Sequence, residues 1–394
     1  MAGIDVARPA RDAAPVACVL GEIDLVRALA LAGIRSAVIA PPGDFTRFSR
    51  TARVAFDWID PWRFPDRLVQ RMLEFGREQP EKPVLFYDGD WDLLVISRQR
   101  ERLGEAFRFV VPERDLVERL VDKARFQELA RDHDLPVPPA VQRLPAKDSA
   151  DVPLHFPVVV KPLIRQEETW RPLTRAKSIH AASPSELETL WPSFADAGFD
   201  VLVQESIPGP ESAIESYHAY VDAHGETVAE FTGRKLRTYP ASYGYSTALV
   251  ITQAEDVAHL GRDITRRLDL RGVAKLDFKR AASGRLFLLE INARFNLWHH
   301  PGAKAGVNIP ALVYQDLVGL PRGVIGPARP GVRWVSPWRD AVAAHEQGMS
   351  PVQWLRWALA AETKCAIAWD DPLPLVCAGV VRAAHRISRR DRDH

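Results

Sequence analysis

Residues 273–294, VAKLDFKRAASGRLFLLEINAR, carry the clearest structural signal in the chain, because they predict a β-hairpin. Two runs rich in β-branched, leucine and aromatic residues flank Ser283–Gly284, a dipeptide typical of a tight turn. A two-residue loop at this turn sets Asp277 directly opposite Glu290. In the same register, Lys275 stands opposite Asn292.

Side chains alternate along a strand, so these four polar residues share one face of the predicted hairpin. The other face is apolar and would hold Leu276, Phe278, Leu289 and Ile291. Two facing carboxylates repel, and a divalent cation would offset the repulsion. Asp, Glu and Asn oxygens suit Mg²⁺, whose shell is usually completed by phosphate and water. The alternative is that the carboxylates are solvated or paired with Lys275 and Lys279. A loop longer than two residues would also shift the register and change which residues face each other.

Length and composition exclude several classes of protein. The chain has 394 residues, enough for two or three domains. Its 52 Lys and Arg balance 51 Asp and Glu, which argues against a general nucleic-acid binder. No apolar run approaches the roughly 18 residues of a membrane span, and residues 16–20 are too short for a signal-peptide core. Three separated cysteines (Cys18, Cys365, Cys377) fit no disulfide framework, so a reducing cytoplasm is expected.

The first part of the chain predicts an α/β domain with a parallel sheet, since short apolar runs alternate with amphipathic segments. The predicted strands and helices are Val16–Leu20, Asp24–Ala32, Ser36–Ala40, Arg67–Phe75 and Val84–Tyr87, with Gly33 ending the first helix. Gly21 is the only glycine in the first strand–helix turn. The dinucleotide-binding fingerprint is therefore missing, which weakens the alternative of a nicotinamide-dependent dehydrogenase.

The middle of the chain predicts a helix over Leu116–Ala130, which the proline-rich residues 134–139 end. Beyond it, the patterns predict strands at Phe156–Lys161 and Val201–Gln204, and a short helix at Ser185–Leu190 that begins at Ser183 or Ser185. Four further strands, largely antiparallel, are predicted at Ser216–Val221, Thr227–Thr232, Val273–Lys279 and Leu286–Asn292. The tail from residue 332 has helical patterning and contains Trp334, Trp338, Trp354 and Trp357.

Lysine is scarce, with ten residues against 42 arginines. A chain with this preference would keep lysine where a compact ammonium is needed, although chance is the alternative. Lys161 ends an apolar strand, so its ammonium either binds an anion or reaches solvent. Lys123 lies on the predicted helix before the prolines, where a solvated side chain is the usual interpretation.

Five motifs follow one another along most of the chain. They are Asp122-Lys123 with Leu135–Pro138, Phe156–Pro162, Gln204–Glu211, Asp277, and Glu290–Arg294. Together they resemble the ATP-grasp superfamily. The spacings from Asp277 to Glu290 to Asn292 are similar to those of D-alanine–D-alanine ligases, whereas Arg294 resembles biotin carboxylases. The overall likeness is to ATP-dependent carboxylate–amine ligases. Residues 233–244 and 371–374 also resemble that branch.

The resemblance implies a site for Mg²⁺ (or Mn²⁺) and ATP. The six ATP-binding residues would be Lys123 and Lys161 on the α- and β-phosphates, Gln204, Glu205 and Ile207 on adenine, and Glu211 on the ribose. Asp277, Glu290 and Asn292 would hold one or two metal ions. Lys235, Lys275 and Arg294 would stabilise the transferred phosphoryl group. The family often has a glycine-rich flap, but residues 163–200 contain only Gly198, so Lys177 is a candidate substitute.

The fold implied is an α/β parallel-sheet domain (residues 1–115), an α+β ATP-grasp core in two subdomains (116–200 and 201–325) and a helical C-terminal tail (326–394). The activity implied is ligation of a small-molecule carboxylate, activated as an acyl phosphate, to an amine. No nucleic-acid partner or integral membrane segment is expected, and a homo-oligomer stays open. The alternative is an ATP-binding regulatory or scaffolding protein, which the three filled metal-ligand positions disfavour.

Two further groups of residues have open interpretations. His299 and His300 follow the metal strand, so one of them could face the acceptor pocket, or both could be ordinary polar residues. Trp170, Arg171 and Arg175 could clamp an acidic substrate or belong to a solvated loop.

Overall fold

Three β-sheets with helices packed against them organise the described residues, 14–163, 170–198 and 200–377 of a computed structural model. The first sheet is parallel, with strand order β3-β2-β1-β4. Its strands are β1 (Ala17–Leu20), β2 (Ser36–Ala40), β3 (Ala52–Asp57) and β4 (Val84–Tyr87). The β1, β2 and β4 residues are all buried, as expected where helices cover both faces of a parallel sheet. The predicted parallel α/β domain is confirmed.

Four helices accompany this sheet: α1 (Ile23–Leu31), α2 (Pro65–Arg77), α3 (Asp90–Arg98) and α4 (Arg100–Gly104). Gly33 follows α1 with φ +75°, the left-handed conformation that glycine adopts easily beyond a helix end. The helix end predicted there is confirmed.

The single helix predicted over Leu116–Ala130 is wrong, because two helices occupy this region. They are α5 (Arg114–Val121) and α6 (Lys123–Asp132). Between them Asp122 has extended backbone angles, and its carboxylate accepts hydrogen bonds from the N–H groups of Ala124 and Arg125. An aspartate in this position caps the second helix. Lys123 is therefore the first residue of α6 rather than an internal one.

The second sheet is small and antiparallel, with strand order β5-β8-β6-β7. Its strands are β5 (Ala140–Arg143), β6 (Val158–Pro162), β7 (Ile179–Ala181) and β8 (Val201–Glu205). Helix α7 (Pro184–Asp196) packs on it and is capped by Ser183, as predicted. Trp170, Trp191 and Phe194 belong to a hydrophobic core separate from that of the rest of the molecule. The interpretation of Trp170 as a substrate clamp is wrong, since this side chain is buried in that core.

The third sheet has seven strands in the order β13-β12-β9-β10-β11-β14-β15. They are β9 (Ile214–Val221), β10 (Thr227–Tyr239), β11 (Tyr245–Thr252), β12 (Gly272–Arg280), β13 (Leu286–Asn292), β14 (Arg333–Val335) and β15 (Thr363–Lys364). All neighbours pair antiparallel except β14 and β15. Strand β10 continues well past the predicted end at Thr232. It does so through Gly233, where a Cβ would overlap the ring of Trp298. Strand β11 was not predicted.

Five further helices complete the described part of the molecule. The helices are α8 (Glu255–Arg267), α9 (His299–Lys304), α10 (Ile309–Val318), α11 (Pro337–Glu346) and α12 (Pro351–Leu359). The expected fold class, a parallel α/β domain joined to a two-part α+β core and followed by helices, is confirmed. Every helix among the described residues is too short or too polar to cross a membrane.

Candidate active site

One cleft of about 1580 Å³, counting its open mouth, lies where α5 and α6, the small sheet and the large sheet meet. Eleven of the twelve site residues proposed from the sequence line it. They are Lys123, Lys161, Gln204, Glu205, Ile207, Glu211, Lys235, Asp277, Glu290, Asn292 and Arg294. The twelfth, Lys275, lies beside the cleft, where its ammonium donates to Asp277 at 2.6 Å. Residues more than 170 positions apart in the chain therefore share one site.

The β12–β13 hairpin has the predicted pairs, Asp277 opposite Glu290 and Lys275 opposite Asn292. The turn between the strands is different from the prediction. Arg280 pairs with Leu286 and Ala281 N–H donates to Arg285, which leaves a three-residue loop ending in Gly284 at φ +84°. This loop shifts the pairing by one residue near the turn.

A β-bulge further along the hairpin cancels that shift. Phe278 pairs with Leu288 while Asp277 pairs with Glu290, so Leu289 is the extra residue. Leu288 is fully buried, whereas Leu289 lines the cleft. The prediction that Leu289 belongs to the apolar face is therefore wrong, because the bulge turns this side chain toward the polar one.

Asp277 is 1% exposed, and hydrogen bonds satisfy both of its carboxylate oxygens. Ser216 Oγ donates to Oδ1 at 2.5 Å, Lys275 Nζ donates to Oδ2, and Lys235 Nζ lies 3.8 Å from Oδ2. Burial alone would raise the pKa of Asp277, but the two ammonium groups outweigh it and hold that pKa far below its usual range. The carboxylate is thus fully ionised, as a metal ligand must be.

Glu290 is the more open of the two carboxylates. It makes no hydrogen bond to any residue that the structure describes, although burial alone would raise its pKa. The ammonium groups of Lys177, Lys275 and Lys235 outweigh that burial, so the pKa of Glu290 is lowered. Within the same described part of the chain, the buried Asn292 Nδ2 also has no partner. An uncommitted carboxylate, an ionised Asp277 and an amide oxygen fit a hard divalent cation such as Mg²⁺.

Lysines supply the positive charge of the cleft. Lys123, Lys161, Lys177, Lys235 and Lys279 line it and Lys275 lies beside it, which makes six of the ten lysines in the chain. Burial lowers the pKa of Lys161 to about 8 and that of Lys177 to about 8, because a desolvated ammonium is disfavoured. An anion in the cleft would restore the charged form. The scarcity of lysine was the sequence signal for this cluster.

The other wall of the cleft follows the end of β8. Gln204 Oε1 accepts a hydrogen bond from Lys161 Nζ at 2.7 Å. Glu205 N–H donates to Pro139 O, so only its carbonyl is open to a ligand, and its carboxylate accepts from His155 N–H. Glu211 lies 3.9 Å from Lys279 Nζ. The sequence alternative is confirmed for Lys275, which pairs with Asp277 at 2.6 Å. It is wrong for Lys279, which reaches Glu211 instead.

Sequence reasoning missed one aromatic residue of the cleft, Tyr243. It has φ +56°, its hydroxyl lies 3.0 Å from Ser206 Oγ, and its carbonyl accepts from Lys177 N–H. The neighbouring Gly244 lies so close to Pro240 that a Cβ would clash with the backbone there. Pro240 and Gly244 were noted only as a family likeness, so the sequence contained a hint of this turn but not of its contacts.

Arg294 lies beyond the end of β13 and does not continue the strand. It forms an ion pair with Asp90, the first residue of α3, and its Nη2 donates to Asn292 Oδ1 at 3.2 Å. Arg294 thus makes a structural ion pair with a nearby acid, which is Asp90 and not Glu290. The pair joins the end of β13 to the N-terminal domain.

Neither His299 nor His300 lines the cleft. His300 Nδ1 lies 2.8 Å from Asp24 Oδ1, and His299 is buried beside Phe295 and His218. The interpretation of one of them as an acceptor-pocket residue is therefore wrong. The proposed flap falls partly on residues 164–169 and 199, which lie outside the described residues, but Lys177 lines the cleft.

The family model for "ATP-grasp in the biosynthetic pathway with Ter operon" matches residues 199–336. The D-aspartate ligase of Enterococcus faecium (strain Aus0004) is 25% identical over 288 residues, which cover 69% of this chain and 68% of that protein. Two solved structures share the fold, with TM-scores of 0.59 and 0.60. They are the biotin carboxylase domain of Hydrogenobacter thermophilus 2-oxoglutarate carboxylase (16% identity, 80% and 72% of the two chains) and the L-amino acid ligase of Bacillus licheniformis (13% identity, 77% and 74%).

These similarities, the three-sheet architecture and the order of the motifs place the chain in the ATP-grasp superfamily. ATP and Mg²⁺ are the cofactors of that superfamily, and the carboxylase domain was solved with MgADP. Its members include ATP-dependent ligases, as the D-aspartate ligase and the L-amino acid ligase illustrate.

Proposed function

We propose that this protein is an ATP- and Mg²⁺-dependent ligase that activates a small-molecule carboxylate as an acyl phosphate and transfers the acyl group to an amine. One observation carries the proposal. Asp277, Glu290 and Asn292 face the same cleft as five lysines, so a cation site adjoins a polyanion site. Phosphoryl transfer needs this combination, because catalysis depends on positioning and on charge stabilisation.

The lining residues divide into a base end and a phosphate end. Lys123 and Lys161 would contact the α- and β-phosphates, and the desolvated ammonium group of Lys161 would be stabilised by such an anion. Gln204, the Glu205 carbonyl and Ile207 would contact adenine. Glu211 would accept hydrogen bonds from the ribose hydroxyls.

Asp277, Glu290 and Asn292 would hold Mg²⁺ at the phosphate end. A metal held there would supply positive charge that offsets the negative charge built up during transfer. Lys275 and Lys235 hold Asp277 ionised, and both would lie beside the transferred group.

The reaction has two steps. A carboxylate oxygen attacks the γ-phosphorus of ATP, the bond to the leaving ADP oxygen breaks, and an acyl phosphate forms. The amine nitrogen then attacks the acyl carbon, the bond to the phosphate oxygen breaks, and inorganic phosphate and the amide are released. Arg294, with Lys235 and Lys275, would stabilise the charge on the transferred phosphoryl group.

We also propose that residues 1–115, 116–200, 201–325 and 326–394 act as separate units. The hydrophobic core of the small sheet is distinct from the main core, to which α5 and α6 belong, and this supports movement of the small sheet over the cleft. Such closure would keep water away from the acyl phosphate.

The test uses hydroxylamine, which traps acyl phosphates as hydroxamates without the natural amine. We expect hydroxamate and ADP to form together from a panel of carboxylates, only with Mg²⁺ and ATP. Glu290→Gln should lower the rate by about 100-fold or more, since it removes a ligand charge while keeping the side-chain volume. The control is Glu101→Gln, an exposed carboxylate paired with Arg114.

A Glu290→Gln variant with nearly wild-type turnover would contradict the metal assignment. Nucleotide binding without turnover on a broad panel of carboxylates would contradict ligation and favour the regulatory alternative.

A further inference from the structure

Lys177 lines the cleft, but the proposed function gives it no task. The other five lysines in or beside the cleft each have an ammonium group within 3.9 Å of a protein oxygen. They are Lys123, Lys161, Lys235, Lys275 and Lys279. Within the part of the chain that the structure describes, Lys177 Nζ makes no hydrogen bond and no salt bridge. Lys177 therefore brings to the cleft a positive charge that no described carboxylate pairs.

The backbone around Lys177 is held from both sides of the cleft. Lys177 N–H donates to Tyr243 O at 2.9 Å, in the turn between β10 and β11 of the large sheet. The carbonyl of the preceding residue, Ala176, accepts from Trp170 Nε1 at 3.1 Å. Trp170 is buried in the core of the small sheet, so these two hydrogen bonds tie the segment to both sheets.

The side chain of Lys177 lies against an aromatic ring. Its Nζ is 5.3 Å from the ring centroid of Tyr245. The face of an aromatic ring attracts an ammonium group but supplies no oxygen acceptor. The ammonium is therefore positioned while its N–H groups stay open to an anion.

Glu290 is the carboxylate on which the charge of Lys177 acts most. Burial lowers the pKa of Lys177, and the charge of Glu290 is the strongest of those that oppose this effect. Burial acts to raise the pKa of Glu290, and the charge of Lys177 is the strongest of those that outweigh it. The two groups nevertheless form no salt bridge with each other, and among the described residues neither has a hydrogen-bond partner. Opposite charges thus face each other across an open part of the cleft.

A phosphoryl group together with Mg²⁺ fits this gap, because the pair presents both signs of charge. The carboxylate of Glu290 would ligate the metal, and the ammonium of Lys177 would donate to a phosphoryl oxygen. Glu290 belongs to β13 of the large sheet, whereas Lys177 precedes β7 of the small one. The two side chains would therefore hold the group from opposite walls.

The charged neighbours of Lys177 indicate which phosphate it reaches. Besides Glu290, the charges that act on it are those of Lys235, Lys275 and Asp277, at the metal end of the site. Lys161 has different neighbours, since Lys123 and Glu211 act on it besides Glu290. Lys161 is thus nearer the proposed ribose end, and Lys177 is nearer the group to be transferred.

We propose that Lys177 is a further catalytic residue, whose ammonium group binds the γ-phosphoryl group of ATP from the small-sheet side and stays with it during transfer. The assignment rests on the proposed function and adds a residue to its phosphate end. No proton leaves Lys177 in this step. As the carboxylate oxygen bonds to the γ-phosphorus and the bond to the ADP oxygen breaks, the ammonium donates to a non-bridging oxygen of the transferred group and stabilises its charge.

The test compares ADP with a non-hydrolysable ATP analogue, because only the analogue has a γ-phosphoryl group. In titration calorimetry of the full chain with Mg²⁺, Lys177→Gln should weaken binding of the analogue by about tenfold or more, the effect of losing a charged hydrogen bond. Its affinity for ADP should stay within about twofold of the wild type. Lys177→Arg keeps the charge in a bulkier group and should recover part of the affinity for the analogue. In the hydroxamate assay at saturating ATP, Lys177→Gln should lower kcat by about 100-fold or more.

Lys147→Gln is the matched control, since Lys147 is an exposed lysine in the loop after β5 of the small sheet. It should bind both nucleotides and form hydroxamate as the wild type does. A structural role of Lys177 through Tyr243 and Tyr245 predicts a different result for Lys177→Gln. The melting temperature would fall, and the affinities for ADP and for the analogue would decrease together.

Equal losses of ADP and analogue affinity in Lys177→Gln would overturn this inference, as would an unchanged affinity for the analogue. A kcat within about threefold of the wild type would also contradict a catalytic role. Failure of the proposed function would be distinct, because the wild type would then form no hydroxamate. The comparison of ADP with the analogue would still show whether Lys177 contacts the γ-phosphoryl group.

Discussion

At the scale of single residues, the basic side chains around the cleft are mostly lysines, in a chain that otherwise prefers arginine. A lysine ammonium is compact and rotatable, so several can surround one polyphosphate, whereas a planar guanidinium needs a fitted two-point partner. Arg294 divides its contacts between two partners, pairing with Asp90 through Nε and donating from Nη2 to Asn292 Oδ1. The two residue types therefore have different tasks at one site.

If Lys161 contacts the phosphates as proposed, nucleotide binding should depend on pH. Burial lowers its pKa to about 8, so the free protein loses this ammonium as the pH rises through 8, and ATP affinity should fall. We expect affinity to be constant from pH 6.5 to 7.5 and to weaken by up to about tenfold per pH unit above 8.5. Titration calorimetry at pH 7 and 9 measures this change. Lys161→Ala should bind ATP more weakly at pH 7 and with a smaller pH slope.

Lys161→Arg is the matched variant, because it keeps the charge at every pH. It should remove part of the pH slope without restoring full affinity. An unchanged slope in both variants would mean that the lysine does not contact the phosphates.

Variants of Arg294 distinguish a role in catalysis from a role in stability. If its charge acts on the transferred phosphoryl group, Arg294→Ala should lower kcat by about 100-fold with little change in ATP affinity. If it only joins the metal-ligand strand to Asp90, the variant should lose thermal stability while kcat per folded molecule stays the same. Asp90→Asn tests the pair from the other side, since it breaks the ion pair but keeps the guanidinium. Melting temperature, ATP affinity and kcat measured on one preparation distinguish the two outcomes.

At the scale of elements, the packing of strand β10 determines where one lysine of the candidate site lies. Its Gly233 lies under the ring of Trp298, and Lys235 follows two residues later. A side chain at position 233 would push the tryptophan or the strand away and move Lys235 relative to Asp277. The absence of a side chain at this position thus keeps the observed placement of Lys235 relative to Asp277.

Gly233→Ala should therefore destabilise the protein by about 1–3 kcal/mol, the usual cost of overpacking a core. Thermal and urea unfolding measure this change. Gly104→Ala is the control, because a Cβ in that helix meets nothing within 4 Å and alanine favours helix. Equal stability of the two variants would show that Trp298 has room to move.

At the scale of the whole molecule, a buried ion pair attaches the C-terminal helices to the large sheet. Arg237 of β10 donates two hydrogen bonds to Asp340 of α11, at 2.8 and 2.7 Å. Thr247 and Trp354 also donate to this carboxylate, and Trp357 covers the guanidinium at 4.1 Å. The pair therefore holds α11 and α12 against the large sheet.

Asp340→Ala should lower the free energy of unfolding by about 3–5 kcal/mol, since it leaves Arg237 buried without its partner. Chemical denaturation measures the change. The double variant Arg237→Met/Asp340→Leu is the control, and it should be less damaging than the single one because no buried charge is left unpaired. A loss below about 1 kcal/mol in Asp340→Ala would mean that solvent reaches the arginine.

Local patterns in the sequence determined the strand faces, the parallel α/β domain and the Asp277–Glu290 pair. These features follow from the two-residue period of a strand and from the apolar runs of buried elements. The motifs then indicated most of the charged residues that line the cleft. The Asp277–Glu290 pair was predicted correctly although the predicted two-residue loop was wrong. The three-residue loop shifts the register by one residue, and the bulge at Leu289 shifts it back.

Only the tertiary structure decided which distant residues meet. Asp90 reaches Arg294 across 204 residues, and Glu22 lies against Asp88 across 66. The burial of His299 and Trp170 was likewise settled by packing. Such contacts depend on how sheets and helices stack, and stacking leaves no periodic trace near either partner in the sequence.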